Sequence, residues 1–304
     1  MKKNEQHNNP LVSVITVNYN TPKEVCALIE SVINSGYNNV EIIVVDNNSK
    51  LKSPDLITQE YPSAKLIKSN KNLGFAGGNN LGVKAAKGEF FLFLNSDAVL
   101  TADCLKVLVE TFNQLPRVGI VSPKFHFLDH PGKLDYAGCK AINRYTGRGE
   151  IIGHGEPDNG QYDLLSDTGY CHGGGVLVKR SAWEKSGSMP ENYFLYYEEL
   201  EWSENIKKAG YRVIYQPQAL IYHKVSGSIG SFSTLKTYYL TRNRILFMRR
   251  NRRPFDFIIF SLYFGLISIP KNLFVYLIKG KMVHLKYFLL AVIWNMGIKI
   301  QPKF

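Results

Sequence analysis

Residues 11–122 alternate between strand-like and helix-like segments, and this alternation limits the fold more than any other feature of the sequence. Runs of β-branched or apolar residues of strand length occupy 11–17, 40–45, 64–68, 90–94 and 118–122. Helical patterns separate them, beginning for example at Thr21-Pro22, where the threonine can cap and the proline suits the first helical position. Short connections between alternating strands and helices predict an α/β fold with a mostly parallel central sheet flanked by helices.

The run Phe90–Leu94 leads directly into Asn95-Ser96-Asp97. A buried strand with this ending would deliver a carboxylate to the carboxyl edge of the sheet, where open α/β sheets bind their ligands. Asn95 and Asp97 then offer oxygen ligands on one side of an extended chain, as Mg²⁺ or Mn²⁺ bound to a diphosphate requires. An Asn-Ser-Asp turn without a ligand has the same residues, so both interpretations stay open here.

Polar residues also follow the first two strands, with Asn18 after one and Asp46-Asn47 after the other. A carboxylate such as Asp46 can accept a hydrogen bond from the imide N–H of a pyrimidine base, although a solvated turn is an equal alternative. The glycine-rich stretch 72–80, which contains Gly74 and Asn79, does not match the dinucleotide fingerprint. It predicts either a helix N-terminus that approaches a ligand phosphate or sugar, or a structural turn.

The second half of the chain offers three more candidate groups. Gly173 and Gly174 would allow the backbone to approach a sugar ring, or only tight packing. Glu198 and Glu199 begin a predicted helix, where a carboxylate can act as a general base or only complement the helix dipole. His223 ends a strand-like segment and is a candidate metal ligand, although a lone histidine is more often structural. Between these groups and the first half, residues 124–167 show too little periodicity for elements to be assigned.

The C-terminal part carries the excess charge of the chain. The formal net charge is +12, and residues 236–304 contain 13 Lys and Arg against one acidic residue, Asp256. Two apolar segments, 257–269 and 287–298, are shorter than the ~20 residues that span a bilayer. The combination predicts helices that lie in a membrane interface containing anionic lipid, with core-packing helices as the alternative. No nucleic-acid-binding motif accompanies the basic residues, so nucleic acid is not an expected partner.

The cysteines and the first residues indicate the compartment. Four cysteines without paired spacing predict reduced thiols rather than a disulfide framework or zinc site. The polar lead, residues 1–10, lacks the apolar core of a secretory signal. We therefore expect a cytoplasmic protein, peripheral on the inner face of the cell membrane.

Six motifs, in this order along the chain, resemble those of inverting family 2 glycosyltransferases with the GT-A fold. The similarity is to the rhamnosyltransferase-like group that builds bacterial surface polysaccharides, including O-antigen, and it extends over roughly residues 10–245. The motifs are Val14-Ile15-Thr16-Val17-Asn18-Tyr19-Asn20, Val44-Val45-Asp46-Asn47-Asn48-Ser49, Asn72-Leu73-Gly74-Phe75-Ala76-Gly77-Gly78-Asn79, Leu94-Asn95-Ser96-Asp97, Tyr196-Tyr197-Glu198-Glu199-Leu200-Glu201 and His223.

The resemblance implies a role for each matching residue. Asp46 would bind a uracil or thymine base, Asp97 would hold the divalent metal, Mg²⁺ or Mn²⁺, and His223 would be a further ligand or a phosphate contact. The general base falls on Glu199, or on Glu198 because a glutamate replaces the family's aspartate. The remaining nucleotide-binding residues would be Asn18, Asn47, Gly74, Asn79 and Asn95, and those near the sugar or acceptor would be Gly173, Gly174, Glu201 and Trp202.

The function implied is transfer of one sugar, from dTDP-rhamnose or a UDP-sugar, to a saccharide acceptor that is lipid-linked. Residues 11–245 would form the catalytic domain, with a nucleotide-binding half at 11–123 and an acceptor-binding half at 124–245. Residues 246–304 would form the membrane-interfacial tail. The processive signature Gln-x-x-Arg-Trp does not occur. A non-catalytic nucleotide-sugar-binding protein and a metal-dependent phosphoryl-transfer enzyme are the alternatives, the latter without a P-loop.

Overall fold

A computed structural model describes residues 9–224 and 233–298. Most of the polar lead and the last six residues therefore lie outside the described part. The strands are β1 (Val12–Asn18), β2 (Val40–Asp46), β3 (Lys65–Lys68), β4 (Phe90–Asn95), β5 (Ala98–Leu100), β6 (Val118–Phe127), β7 (His130–Tyr136), β8 (Cys139–Lys140), β9 (Glu150–Ile151), β10 (Ser166–Asp167), β11 (Gly175–Lys179) and β12 (Arg212–His223). The helices are α1 (Pro22–Asn34), α2 (Asp55–Glu60), α3 (Gly74–Val83), α4 (Cys104–Gln114), α5 (Arg180–Ser186), α6 (Glu198–Lys208), α7 (Thr234–Asn251), α8 (Pro254–Tyr263), α9 (Ile269–Ile278) and α10 (Met282–Trp294).

One mixed sheet organises the chain, in the order β10-β12-β6-β11-β4-β1-β2-β3. The first-half strands β3, β2, β1 and β4 are parallel, and β12 is parallel to β6. Strand β11 joins these two groups by running antiparallel to both β4 and β6. The predicted α/β class is confirmed, and the parallel half carries the polar strand ends to one edge.

Two elements run further than the sequence pattern suggests. Strand β6 continues through Pro123 to Phe127. Strand β12 is a single strand, although the sequence pattern indicates two separate apolar segments there. A register shift between Gln216 and Leu220 gives β12 the slack to remain paired with β6 past the proline. This extension carries His223, the last residue of β12, to the same edge of the sheet as Asp97.

The C-terminal helices correct two expectations. Helix α7 crosses the boundary predicted at residue 245, so the catalytic part and the tail share an element. Pro270 does not end the first apolar segment, because a π-helical turn at Phe264–Ser268 precedes it and lets α8 continue into α9. The resulting helix, Pro254–Ile278, has 25 residues and by length and composition alone is able to cross a bilayer.

This long helix packs one face on the protein and exposes the other. Phe260 and Phe264 are buried, with the Arg244 guanidinium 5.7 and 5.4 Å from their ring centroids. The basic residues at the end of α7 and just after it are partly used inside the protein, since Arg250 pairs with Glu201 at 2.8 Å and Arg252 with Glu204 at 3.6 Å. The exposed apolar residues of the long helix and α10 are Phe255, Ile258, Leu262, Leu266, Ile267, Phe274, Leu277, Ile278, Met282, Val283 and Leu289.

Candidate active site

The polar ends of three adjacent strands lie side by side at the carboxyl edge of the sheet. Asn18 at the end of β1 is in register with Asp46 at the end of β2, and Asn95 of β4 pairs with Val17 of β1. Neighbouring strands are ~4.8 Å apart, so the β2 and β4 ends are separated by roughly 10 Å. A nucleoside at Asp46 and a diphosphate at Asp97 would fit this spacing.

Asp46 is buried, and its carboxylate organises the end of β2. The Asn18 amide donates to it at 2.7 Å, the Ser49 hydroxyl at 2.6 Å and the Ser49 N–H at 3.1 Å. Asp46 also lines a cavity of about 430 Å³ whose walls include Ser49, Lys68 and Ser69. Asp46 therefore stabilises a turn and also lines a cavity.

Asn47 and Gly74 hold the glycine-rich segment in place. The Asn47 amide donates to the Gly74 carbonyl at 3.0 Å, and its side-chain oxygen accepts from Leu73 N–H at 3.1 Å. Gly74 has φ +72°, and a Cβ there would lie 2.2 Å from the carbonyl oxygen of Phe194. A glycine is thus required at position 74 because the Phe194 backbone packs closely against it, and not because a ligand approaches it.

We expect Gly74→Ala to lower the free energy of unfolding by about 3 to 5 kcal/mol, combining left-handed backbone strain with overpacking. Gly36→Ala is the matched control, because Gly36 has φ +76° with nothing within 4 Å of the added Cβ. It would cost only the backbone term, about 1 to 2 kcal/mol. Urea unfolding of both variants measures the difference, and equal losses would contradict the tight contact with Phe194.

A second cavity, of about 500 Å³, brings together three groups that are far apart in the sequence. Asn95 and Asp97 come from the β4 end, Gly173 and Gly174 from the segment before β11, and Glu198 and Glu199 from the start of α6. His223 and Lys236 complete its polar wall, together with Asp135, His154 and His172. Among the described residues, Lys236 is the one lysine or arginine in a lining that contains four carboxylates.

The two glutamates at the start of α6 have different environments. Glu198 is almost fully buried, and among the described residues its Oε2 has no hydrogen-bond partner. Burial and then the charge of Glu199 raise the pKa of Glu198 well above its usual range. Glu199 is partly exposed beside Gly173, and burial raises its pKa to about 7. Glu199 is therefore able to take up a proton near neutral pH, whereas burial favours the protonated form of Glu198 more strongly.

A carboxylate-histidine cluster lies on the other side of the cavity. The Nε2 atom of His223 is 3.4 Å from Asp97 Oδ1, and its Nδ1 is 2.9 Å from Oδ2 of the buried Asp135. Burial works to lower the pKa of His223, but Asp135 and Asp97 outweigh it and raise the pKa to about 9. Asp135 thus fixes the ring from behind and leaves Nε2 directed at Asp97, an arrangement typical of metal-binding histidines.

His172 is also close, since single atoms of Asp135, His172 and His223 lie within 4.8 Å of one another. However, the Gly174 N–H donates to His172 Nδ1 at 3.1 Å, which puts the proton of the neutral ring on Nε2, toward Asp135. Burial lowers the pKa of His172 to about 4, so the ring is neutral. Carboxylate oxygen and imidazole nitrogen both suit Mn²⁺, so Asp135, His172 and His223, with Asp97 beside His223, offer donor atoms of the kind that such an ion takes.

Sequence reasoning missed Asp135 and His172 as members of this cavity. Asp135 ends β7 within the region whose periodicity is too weak to assign, and His172 stands between a cysteine and three glycines. The sequence shows an aspartate and a histidine at these positions, but no local spacing marks them as parts of one site. The cluster forms only when β7 pairs with β6.

Three predicted contacts are corrected by burial. Trp202 is fully buried and packs edge-to-face on Phe93 and Trp183, at 5.8 and 5.3 Å between ring centroids, so it is a core residue. Glu201 is buried against Arg250 and accepts a hydrogen bond from Tyr193, on a different face of α6 from the cavity. Asn79 is buried in α3, where its amide donates to the Phe75 carbonyl at 3.1 Å.

Comparison with known proteins identifies the family. Residues 13–187 match the family model described as glycosyl transferase family 2. An N-acetylglucosaminyl-diphospho-decaprenol L-rhamnosyltransferase of Mycobacterium tuberculosis is 24% identical over 213 residues, which cover 63% of this chain and 68% of that protein. A longer protein of Sinorhizobium fredii is 26% identical over 82% of this chain, which spans only 28% of that relative.

Solved structures agree on the fold. The mannosyltransferase PcManGT of Pyrobaculum calidifontis, solved with GDP-Man and Mn²⁺, superposes with a TM-score of 0.57 at 17% identity. The match covers 96% of this chain and 77% of that one. At this level of identity the likeness concerns the GT-A fold, and the family match covers more than half of the chain. The protein is a glycosyltransferase that belongs to glycosyl transferase family 2.

Proposed function

We propose that this enzyme transfers one sugar, with inversion, from a pyrimidine nucleoside diphosphate donor to a hydroxyl of a lipid-linked saccharide. One observation carries the proposal: a single cavity is lined by Asp97, His223 and Glu199. A candidate metal-binding pair in the same cavity as a carboxylate with a pKa near 7 suits departure of a diphosphate and activation of a hydroxyl.

Charge balance supports a metal in this site. A nucleoside diphosphate brings negative charge into a cavity in which the Asp97 and Asp135 carboxylates already share one histidine, His223, and in which Lys236 is the one described lysine or arginine. Unpaired charges of one sign repel strongly in a partly dehydrated site. Mn²⁺ or Mg²⁺ held by Asp97 and His223 would neutralise the charge that develops on the leaving diphosphate.

The residues of the chain then have separate tasks. Residues 11–123 would hold the donor, with Asp46 reading the base and Asn18 fixing Asp46. Asn95 and the backbone at Gly173 and Gly174 would border the donor sugar. Glu199 would accept the proton of the acceptor hydroxyl as its oxygen attacks the anomeric carbon, while the bond from that carbon to the diphosphate oxygen breaks.

Product analysis tests the reaction class. Purified enzyme is incubated with Mn²⁺, dTDP-rhamnose or a UDP-sugar, and an N-acetylglucosaminyl diphosphate carrying a short lipid. We expect one sugar to be added per acceptor, and NMR to report an anomeric configuration opposite to that of the donor. Retention would contradict the role of Glu199, binding without transfer would favour a sugar-binding protein, and release of inorganic phosphate would favour phosphoryl transfer.

The lipid-linked acceptor and rhamnosyl donor are suggested by the relative from Mycobacterium tuberculosis, whose name includes both. Peripheral attachment to the inner face of the membrane is supported by the exposed apolar face of the long helix and α10. A helix that lies on the surface of the protein with one face packed and one exposed suits insertion into an interface. The exposed Lys271, Lys279 and Lys286 along these helices would contact anionic lipid headgroups.

We expect a variant with Leu266→Glu and Phe274→Glu to bind phosphatidylglycerol-containing vesicles at least about 100-fold more weakly, since each buried side chain contributes about 1.5 to 3 kcal/mol. Vesicle co-sedimentation measures this. Ile33→Glu with Leu164→Glu is the control, because both residues are exposed but lie outside the tail. Substitution is preferable to deleting 246–304, which would cut α7 and remove the Arg250–Glu201 pair. Unchanged sedimentation of the double variant would contradict the proposal that the tail is the membrane contact.

A further inference from the structure

The segment that leads into the two glutamates has a strained backbone. Phe194, Tyr196 and Tyr197 all adopt the left-handed conformation, with φ of 64°, 67° and 78°. Non-glycine residues in this region cost on the order of 1 to 3 kcal/mol each and persist only where surrounding structure holds them. Glu198 follows immediately as the first residue of α6. The direction of the glutamate side chains therefore depends on whatever holds residues 193–197.

Partners from other elements bind four consecutive carbonyls of this segment. The Phe194 oxygen accepts from Phe75 N–H at 2.9 Å, at the start of α3. The oxygens of Tyr193, Leu195 and Tyr196 lie 3.1, 2.7 and 2.8 Å from one side-chain amide nitrogen, Nδ2 of Asn243, and share its two hydrogens. Because irregular backbone lacks a ladder of its own, these bonds determine its path.

Asn243 is itself fixed in one orientation. It is fully buried in α7, and its oxygen accepts from Nε of Arg242 at 2.7 Å, so the amide nitrogen must point to the segment. The Arg242 guanidinium also donates to the Asn192 and Tyr193 carbonyls and lies 4.7 Å from the ring centroids of both Tyr239 and Trp294. The α7 helix thus presents a rigid donor to the strained segment.

We propose that Asn243 is a positioning residue for the general base: its amide holds residues 193–197 in the conformation that directs Glu199 toward Gly173 in the cavity. This inference rests on the proposed function, in which Glu199 is the base. Without the amide, the left-handed residues would relax, and a displacement of the carboxylate by about 1 Å is enough to lower transfer about 100-fold.

The test uses the full-length enzyme with Asn243→Ala and Asn243→Asp. The aspartate has the same shape but cannot donate to the three carbonyls. Gln216→Ala is the control, because Gln216 is a buried amide that donates to Thr111 at 2.8 Å, away from the cavity. Three quantities are measured: kcat, calorimetric affinity for UDP or dTDP with Mn²⁺, and amide hydrogen exchange across the chain.

We expect both Asn243 variants to lose about 100-fold in kcat while nucleoside diphosphate affinity stays within about threefold. Hydrogen exchange should increase in residues 193–201, and Gln216→Ala should retain its kcat. Native-like kcat in folded Asn243→Ala, an equal loss in Gln216→Ala, or loss of nucleotide binding in both Asn243 variants would overturn the assignment.

Failure of the proposed base is separately visible. If Glu199→Gln is fully active, Glu199 is not the base, and the kinetic part of this inference falls with it. The exchange measurement still reports whether Asn243 holds the segment, because it does not depend on turnover.

Discussion

Glu199→Gln is expected to lower the transfer rate by about 10²- to 10⁴-fold, the range that positioned general bases contribute, while nucleoside diphosphate binding persists. Glutamine preserves the size of the side chain but cannot accept the proton of the acceptor hydroxyl. Single-turnover transfer assays with saturating donor measure the effect. In the native enzyme the same base predicts a rate that falls as the pH drops below about 7, where Glu199 becomes protonated.

Glu198→Gln is the matched control for this variant. Burial raises the pKa of Glu198 and favours its neutral form, so a neutral amide is a close substitute. We expect it to retain most of the transfer rate. A large loss in Glu198→Gln together with near-native turnover in Glu199→Gln would move the base to Glu198.

The same Glu199→Gln substitution is expected to stabilise the fold. The pKa of Glu199 is raised from 4.5 to about 7, so the folded state favours the protonated form and loses stability as the pH rises through that window. Removing the ionisable group should therefore increase the free energy of unfolding by about 2 to 3 kcal/mol at pH 8, and by little below pH 4.5. Urea unfolding at both pH values measures this, and an equal change at the two would contradict burial of the charge.

Metal removal is the second large effect. Chelation with EDTA is expected to abolish transfer, and Mn²⁺ to restore it, since without the metal only Lys236 and His223 would remain to balance a leaving diphosphate beside the Asp97 and Asp135 carboxylates. Asp97→Asn should weaken Mn²⁺ binding at least about 10-fold and should not recover full activity at saturating metal. Titration of Mn²⁺ followed by electron paramagnetic resonance measures affinity directly.

Lys140→Gln serves as the control for Asp97→Asn, because Lys140 pairs with Glu150 at an exposed site outside the cavity. Its Mn²⁺ affinity and rate should match those of the native enzyme. Full transfer in the presence of chelator would contradict a metal-dependent reaction. Lys236 would then have to stabilise the charge of the leaving diphosphate.

The sequence could predict which polar residues share the carboxyl edge of the sheet, because the position of each strand end depends on local patterns. Five apolar residues followed by Asn95-Ser96-Asp97 define a strand and its end, and parallel pairing then brings Asn18, Asp46 and Asn95 together. The strands need only to pair in the usual way for these ends to share an edge. The positions of Asp97 and Glu199 in one cavity also agree with the order of motifs that the family resemblance supplied.

The remaining parts of the site depend on contacts that no local pattern reports. Asp135 reaches His223 only because β6 and β12 run past Pro123 together. The start of α6 could not be oriented from its sequence, so Trp202 and Glu201 were placed in the site although they pack against Phe93 and Arg250. Asn243 lies in α7, next to the boundary that the sequence predicts between the catalytic domain and the tail. Its role depends on contacts with three carbonyl oxygens about 50 residues earlier in the chain.

The most direct measurement is calorimetric titration of the native protein with UDP, dTDP and GDP, first with Mn²⁺ and then with EDTA. We expect UDP or dTDP to bind in Mn²⁺ and to lose most of its affinity in EDTA, with GDP much weaker, because in the proposed site Asp46 would accept from a pyrimidine imide while Asp97 and His223 would hold the metal at the diphosphate. Absence of binding by a folded sample, or equal binding with and without metal, would contradict the donor site on which the account depends.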